Sequence, residues 1–250
     1  MPDSRPIGVF DSGVGGLTVA RAIQDQLPHE SIVYVGDSAN FPYGPRPIEE
    51  IRGFAMDIAS HLVDRGVKLL VVACNSIEVS AIGDIAATHG VPVVGVIGTE
   101  ATIRTGAYQR AIGSEVELHA AACPAFVEHV ERGDTTSPGL REAARRYLAP
   151  LKESAIDTLI LGCTHYPLLS GLLQMELGPD VVLVSSAEET AKDVYAELLR
   201  GDRLAPATEP ARHEFLTTGD AEPFRALAET FLGGELAHVR ATHLGARTPA

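Results

Sequence analysis

Short, almost wholly apolar runs alternate with longer segments of helical period along the chain, and that alternation constrains the fold more than any other feature. The strand-like runs are Ile7–Phe10, Ser31–Gly36, Val67–Ala73, Val91–Ile97, Glu115–Ala121, Thr158–Gly162 and Val181–Ser185. Helical patterns cover Leu17–Gln26, Ile48–Asp64, Ile103–Ile112, Leu140–Leu151 and Ala187–Leu199. A strand without a polar face must be covered on both sides, so the pattern predicts α/β architecture with mainly parallel sheets. Ligands of such folds bind outside the carboxyl ends of the strands. Chemistry is therefore sought in the residues just after each strand. Gly133–Gly139 and Gly201–Pro210 read as surface loops, and the tail from Gly245 as disorder.

Charge and composition remove several function classes. A net charge of -13 repels phosphate backbones, and the absence of Trp leaves little for base stacking, so no nucleic-acid partner is expected. No run of about 18 uncharged apolar residues is present, so no membrane partner is expected. Nothing near the first residues reads as a secretory signal, and the cysteine count of three does not suit a disulfide framework. Together these predict a reducing, cytoplasmic setting with the thiols reduced. The histidines are scattered and no metal-ligand spacing occurs, so no metal is expected. The lysines are Lys68, Lys152 and Lys192. Lys68 begins a strand and the other two lie in amphipathic helical segments, so none is placed to carry a pyridoxal Schiff base. No cofactor is expected.

Two strand ends are alike. Val67-Lys-Leu-Leu-Val-Val-Ala-Cys74-Asn75-Ser76 lies over Ile156-Asp-Thr-Leu-Ile-Leu-Gly-Cys163-Thr164-His165: an apolar strand, a small residue, a cysteine, then polar side chains. One such cysteine can be ordinary packing. Two in matched contexts suit a particular reaction class, inversion of a carbon centre, which needs a base on one face and an acid on the other. A thiol serves in both roles near neutral pH. His165 beside Cys163 is placed to tune that thiol or orient a substrate.

Phe10-Asp11-Ser12-Gly13-Val14-Gly15-Gly16-Leu17 follows the first strand and opens a helix. Its glycines allow backbone N–H groups to face an anion, while the plainer reading makes Asp11 or Ser12 a helix cap. It is neither a dinucleotide nor a Walker motif. Gly36-Asp37-Ser38 follows the second strand in the same manner. In Phe41-Pro42-Tyr43-Gly44-Pro45 the N–H groups of Tyr43 and Gly44 are available to a carboxylate.

FDSGVGGLTV, GDSANFPYG, VACNS, CPAFVEHVERG, LGCTHYPLL and SSAEETA, taken in order, resemble the glutamate racemases of the aspartate/glutamate racemase superfamily, over most of the chain. The paired ACNS and GCTH motifs are the most specific, and the fine wording resembles actinobacterial members. The resemblance implies two pseudo-symmetric α/β lobes, residues 1–97 with 185–250 and residues 98–184, with the active site between them. It implies that Cys74 and Cys163 are the acid/base pair, assisted by Asp11 and His165. It also implies that Asp11, Ser12, Tyr43, Gly44, Asn75, Ser76, Thr164 and His165 bind the substrate, glutamate. Asp37 and Glu131 match acidic positions of the family, and Thr99 and Thr102 fall near the site from the second lobe. The implied role is supply of D-glutamate for peptidoglycan, and a homodimer is compatible with the resemblance.

The chain departs from the family pattern. Ser76 stands where Thr is commoner, and Ile77-Glu78-Val79 is bulkier than usual. In Val91-Pro-Val-Val-Gly-Val-Ile-Gly-Thr99 a first-lobe strand and a second-lobe strand look fused, as if about 20 residues, an α/β unit, were absent. The run is then expected to pass straight from one lobe to the other. Two other readings remain beside glutamate racemisation. One is an aspartate or hydantoin racemase; the other is a racemase-like binding protein impaired by the lost unit.

Overall fold

The computed structural model describes residues 2–43, 46–74, 93–112, 116–232 and 239–244. The elements in chain order are β1 (Ile7–Asp11), α1 (Leu17–Gln26), β2 (Ile32–Gly36), α2 (Ile48–Asp64), β3 (Leu69–Val72), β4 (Val93–Gly98), α3 (Glu100–Arg104), α4 (Ala107–Ile112) and β5 (Glu117–Ala122). There follow α5 (Pro124–Glu131), α6 (Pro138–Glu153), β6 (Thr158–Gly162), a 3₁₀ turn (Tyr166–Leu169), α7 (Ser170–Leu177), β7 (Val182–Ser185), α8 (Ser186–Arg200), β8 (His213–Thr217), α9 (Ala221–Leu232) and β9 (Val239–Ala241). They form two compact units, Met1–Cys74 with Thr190–Ala250, and Asn75–Glu189. None of the described helices is long and apolar enough to cross a membrane.

The first unit carries a five-stranded parallel sheet in the order β3-β1-β2-β8-β9. Phe10, Val33, Val35 and Leu216 project from its strands onto Ile58 and Leu62, one helical turn apart on α2. Full burial of an Ile or Leu side chain is worth about 1.5–3 kcal/mol, so this pair is a main anchor of α2. Chain order reverses at β1: β2 lies on one side and β3 on the other. That switch opens a crevice at the carboxyl ends of β1 and β3, where Asp11 and Cys74 stand.

The second unit repeats the device in a four-stranded parallel sheet, β5-β4-β6-β7. Its switch strand is β4, flanked by β5 and β6. Gly98 is level with both Ala122 and Gly162, so Cys123, Thr99 and Cys163 form a row one residue beyond the strands. Val96, Tyr108, Val116 and Ile160 form a buried cluster in this unit. Ser137 caps α6 by accepting the Leu140 N–H at 3.1 Å, with Pro138 in the first turn.

Two expectations are corrected. Strand β4 pairs with β5 along its whole length and with β6 from Val94 to Gly98, so Val93–Gly98 belongs to the second sheet and the boundary at 97 falls inside a strand. The run therefore does not carry a shared strand from one lobe to the other. The helical pattern Ile103–Ile112 is broken into α3 and α4, because Gly106 takes a positive φ of 60° that ends the first helix. The tail from Gly245 lies outside the described residues.

Candidate active site

In the first unit, Asp11 closes β1 and is 2% exposed. Its Oδ2 accepts the Gly16 N–H at 2.8 Å, whereas Oδ1 is buried with no hydrogen-bond partner among the described residues. A buried carboxylate oxygen left without a donor is costly, and a ligand ammonium or thiol would satisfy it. The N-cap of α1 is Gly16, not Asp11 or Ser12, and its N–H is spent on Asp11 rather than left for an anion. Gly16 is required for room: a Cβ there would lie 2.5 Å from Asp11 Cβ and 2.9 Å from Ala73 Cβ. Ser12 is buried beside it.

Ala73 N–H bonds Phe10 O at 2.8 Å, which sets Cys74 directly beyond β3 and level with the end of β1. The Cys74 thiol is buried in a cluster with Tyr43 and Ile51, against Phe54. Tyr43 therefore contributes a ring to the thiol's surroundings, and its hydroxyl donates to Asp37 Oδ2 at 2.6 Å. Burial first, then the Asp37 carboxylate, hold that phenol well above its usual pKa, so it stays a neutral donor. Gly44, Asn75 and Ser76, also expected in the site, lie outside the described residues.

In the second unit, Cys163 follows β6 and is 5% exposed. His165 Nδ1 lies 3.8 Å from its Sγ and 3.4 Å from Thr164 Oγ1, while His165 Nε2 meets Glu131 Oε1 at 2.7 Å. Burial alone would lower the imidazole pKa. Hydrogen bonds to Cys163 and Glu131, and their charges, outweigh it and raise the group to about 10. The ring is then an imidazolium near neutral pH, the counter-charge that a thiolate at Cys163 needs. Thr164 is buried next to it. Thr99 caps α3, accepting the Thr102 N–H at 3.2 Å and contacting Thr102 Oγ1 at 2.9 Å. Cys123 is fully buried, and burial, with the Cys163 charge adding, pushes its thiol well up. Tyr166 donates to Cys123 O at 2.9 Å and so pins that strand end.

Each unit thus presents a buried cysteine at the switch point of a parallel sheet, beside a carboxylate-bearing network. Residues 79–194 match the model of the Asp/Glu/Hydantoin racemase family. A glutamate racemase of Corynebacterium diphtheriae is 48% identical, with 95% of this chain and 97% of that one aligned. The chain belongs to the glutamate racemases. A Mycobacterium tuberculosis glutamate racemase is 52% identical over 95% of this chain and 96% of its own length. Among solved glutamate racemases, an isoform from Bacillus anthracis superposes with a TM-score of 0.88 at 39% identity, covering 96% of this chain and 98% of that one. The Francisella tularensis glutamate racemase, solved with D-glutamate, gives 0.86 at 35% identity, covering 97% and 98%.

The alignment to the Corynebacterium glutamate racemase runs over 258 positions yet draws on 95% of a 250-residue chain. About 20 positions of that alignment therefore carry gaps in this chain. Thr217, Thr218 and Asn40 were not anticipated by sequence reasoning. The signal that could have found the two threonines is Thr217-Thr-Gly-Asp, a strand-end turn before a helix, like the one at Asp11.

Proposed function

We propose that this chain interconverts L- and D-glutamate without a cofactor, with Cys74 and Cys163 as the two acid/base groups. The thiolate of one removes the α-proton, leaving a carbanion conjugated with the α-carboxylate. The thiol of the other returns a proton to the opposite face, and the roles swap in the reverse direction. The observation that carries this reading is the repetition: a buried cysteine beyond the strand next to the switch strand in each sheet. Asp11 Oδ1 is suited to the substrate ammonium or to the Cys74 proton. His165, held by Glu131, stabilises the thiolate of Cys163. Ser12, Tyr43, Thr164 and His165, with Gly44, Asn75 and Ser76, bind the substrate. Lys68 is engaged with Glu30 and with two backbone carbonyls, which supports chemistry without a pyridoxal Schiff base.

The biological setting proposed is cytoplasmic supply of D-glutamate for peptidoglycan, by a homodimer. The roughly 20 gapped positions against the Corynebacterium relative favour a second reading, a racemase-like binding protein with impaired turnover. Circular dichroism of purified protein with L- or D-glutamate, with EDTA and no pyridoxal phosphate, decides between them. Loss of optical activity supports the proposal. A constant signal with both enantiomers, or turnover of aspartate or a hydantoin in preference, contradicts it.

A further inference from the structure

The loop that brings Tyr43 to Cys74 is not held by its own strand alone. Thr218, just beyond β8 and about 180 residues further along the chain, grips it at three points. Its N–H bonds Gly36 O at 3.1 Å, its hydroxyl donates to Asp37 Oδ1 at 2.6 Å, and the same oxygen accepts the Ala39 N–H at 3.1 Å. Thr217 Oγ1 and Ser38 Oγ are 2.5 Å apart, and Gly219 N–H reaches Ser38 Oγ at 3.2 Å. Asp37 is fully buried and receives three side chains: Thr218 on Oδ1, Tyr43 on Oδ2, and Asn40 Nδ2 at 3.1 and 3.0 Å. Its two oxygens thus fix the angle of Tyr43 against a frame supplied by β8.

We propose that Thr218 is a positioning residue of the reaction, acting through Asp37 and Tyr43 on the Cys74 half of the site. The inference rests on the two-thiol racemase reading. Removing the Thr218 hydroxyl leaves a buried carboxylate short of a donor, and Asp37 is then free to turn. Tyr43 turns with it, and the surroundings of the Cys74 thiol loosen. The step affected is proton transfer at Cys74, not transfer at Cys163.

Enantiomers have equal free energy, so kcat/KM must change equally in both directions, and rates alone do not locate the lesion. The isotope effect of α-deuterated substrate does, because the substrate deuterium leaves in the first transfer. Thr218→Val is expected to lower kcat/KM about tenfold in both directions, the scale of one donor lost to a buried carboxylate. The isotope effect on kcat/KM should rise for the enantiomer deprotonated by Cys74 and fall for the other. Glu131→Gln, on the Cys163 side, should shift the pair in the opposite sense. Thr218→Ser keeps the hydroxyl and should restore both values. Should the valine variant fail to fold, Thr218→Ala makes the same measurement. Racemisation by the wild-type chain with unchanged isotope effects in the variant overturns the positioning role. Isotope effects that change in the same sense for both enantiomers, or a loss not restored by Ser, do so as well. A wild-type chain without racemase activity overturns the racemase reading itself.

Discussion

Nε2 of His165 lies 2.7 Å from Oε1 of Glu131, and the other ring nitrogen faces the Cys163 thiol. This geometry holds the imidazole between a carboxylate and a thiol. Its pKa, raised to about 10 from 6.5, links charge to stability. The stabilisation is fully present below about pH 6.5, where the unfolded chain also binds the proton, and is lost as pH rises through about 10. Glu131→Gln removes one cause of the shift. The alkaline limb of the kcat/KM profile should move to lower pH by about one unit or more, the size expected for an adjacent charge. An unmoved limb would show that Glu131 does not hold the imidazolium.

Gly16 and Gly171 should respond oppositely to alanine. At Gly16 the new Cβ meets Asp11 and Ala73 below 3 Å, so Gly16→Ala should cost about 1–3 kcal/mol and disturb Asp11. Gly171 lies in α7 with nothing within 4 Å, and Gly171→Ala should gain about 0.5–1 kcal/mol. Urea unfolding of both variants checks the pair. A Gly16→Ala protein as stable and active as the parent would mean the turn is not packed as described.

Lys68 and Glu30 form a buried ion pair, Nζ to Oε2 at 2.6 Å. Nζ also donates to Asp3 O at 2.6 Å and Arg203 O at 2.9 Å, while Glu30 Oε1 takes the Ala205 N–H at 2.7 Å. The pair ties the N-terminal segment and the loop after α8 to the start of β3. Lys68→Met strands the Glu30 charge and should cost about 3–5 kcal/mol; adding Glu30→Leu should recover much of it. Racemase turnover per folded molecule should persist in the double variant. Its specific loss would place Lys68 in the chemistry.

An insertion discriminates the two accounts of β4. Ile97 and Gly98 are level with Ala121 and Ala122 on one side and Leu161 and Gly162 on the other. A short Gly-Ser linker between Ile97 and Gly98 should therefore break the second sheet and abolish cooperative thermal unfolding. Retained stability would mean that the strand ends the first lobe after all.

The strands buried on both faces were legible because their apolar runs are continuous. Thr158–Gly162 matches residue for residue, as do helices Leu17–Gln26 and Ile48–Asp64. Strand β8, His-Glu-Phe-Leu-Thr, escaped because its first residues are polar and solvent-facing, and β9 is a three-residue edge. The strand-end placement of both thiols was legible from local context alone. Their supporting networks were not: Glu131 is 34 residues from His165, and Thr218 is 181 from Asp37, so only folding brings them together.

The most direct test of the two-thiol account is the fate of the α-hydrogen in deuterium oxide. With L-glutamate and a short reaction, two separate acid/base groups predict D-glutamate carrying deuterium at Cα while the remaining L-glutamate keeps its protium. Chiral separation and mass spectrometry read both pools. Cys74→Ala and Cys163→Ala should each abolish labelled product while staying folded. Product that retains the substrate hydrogen, or near-parental turnover by either variant, would contradict the account.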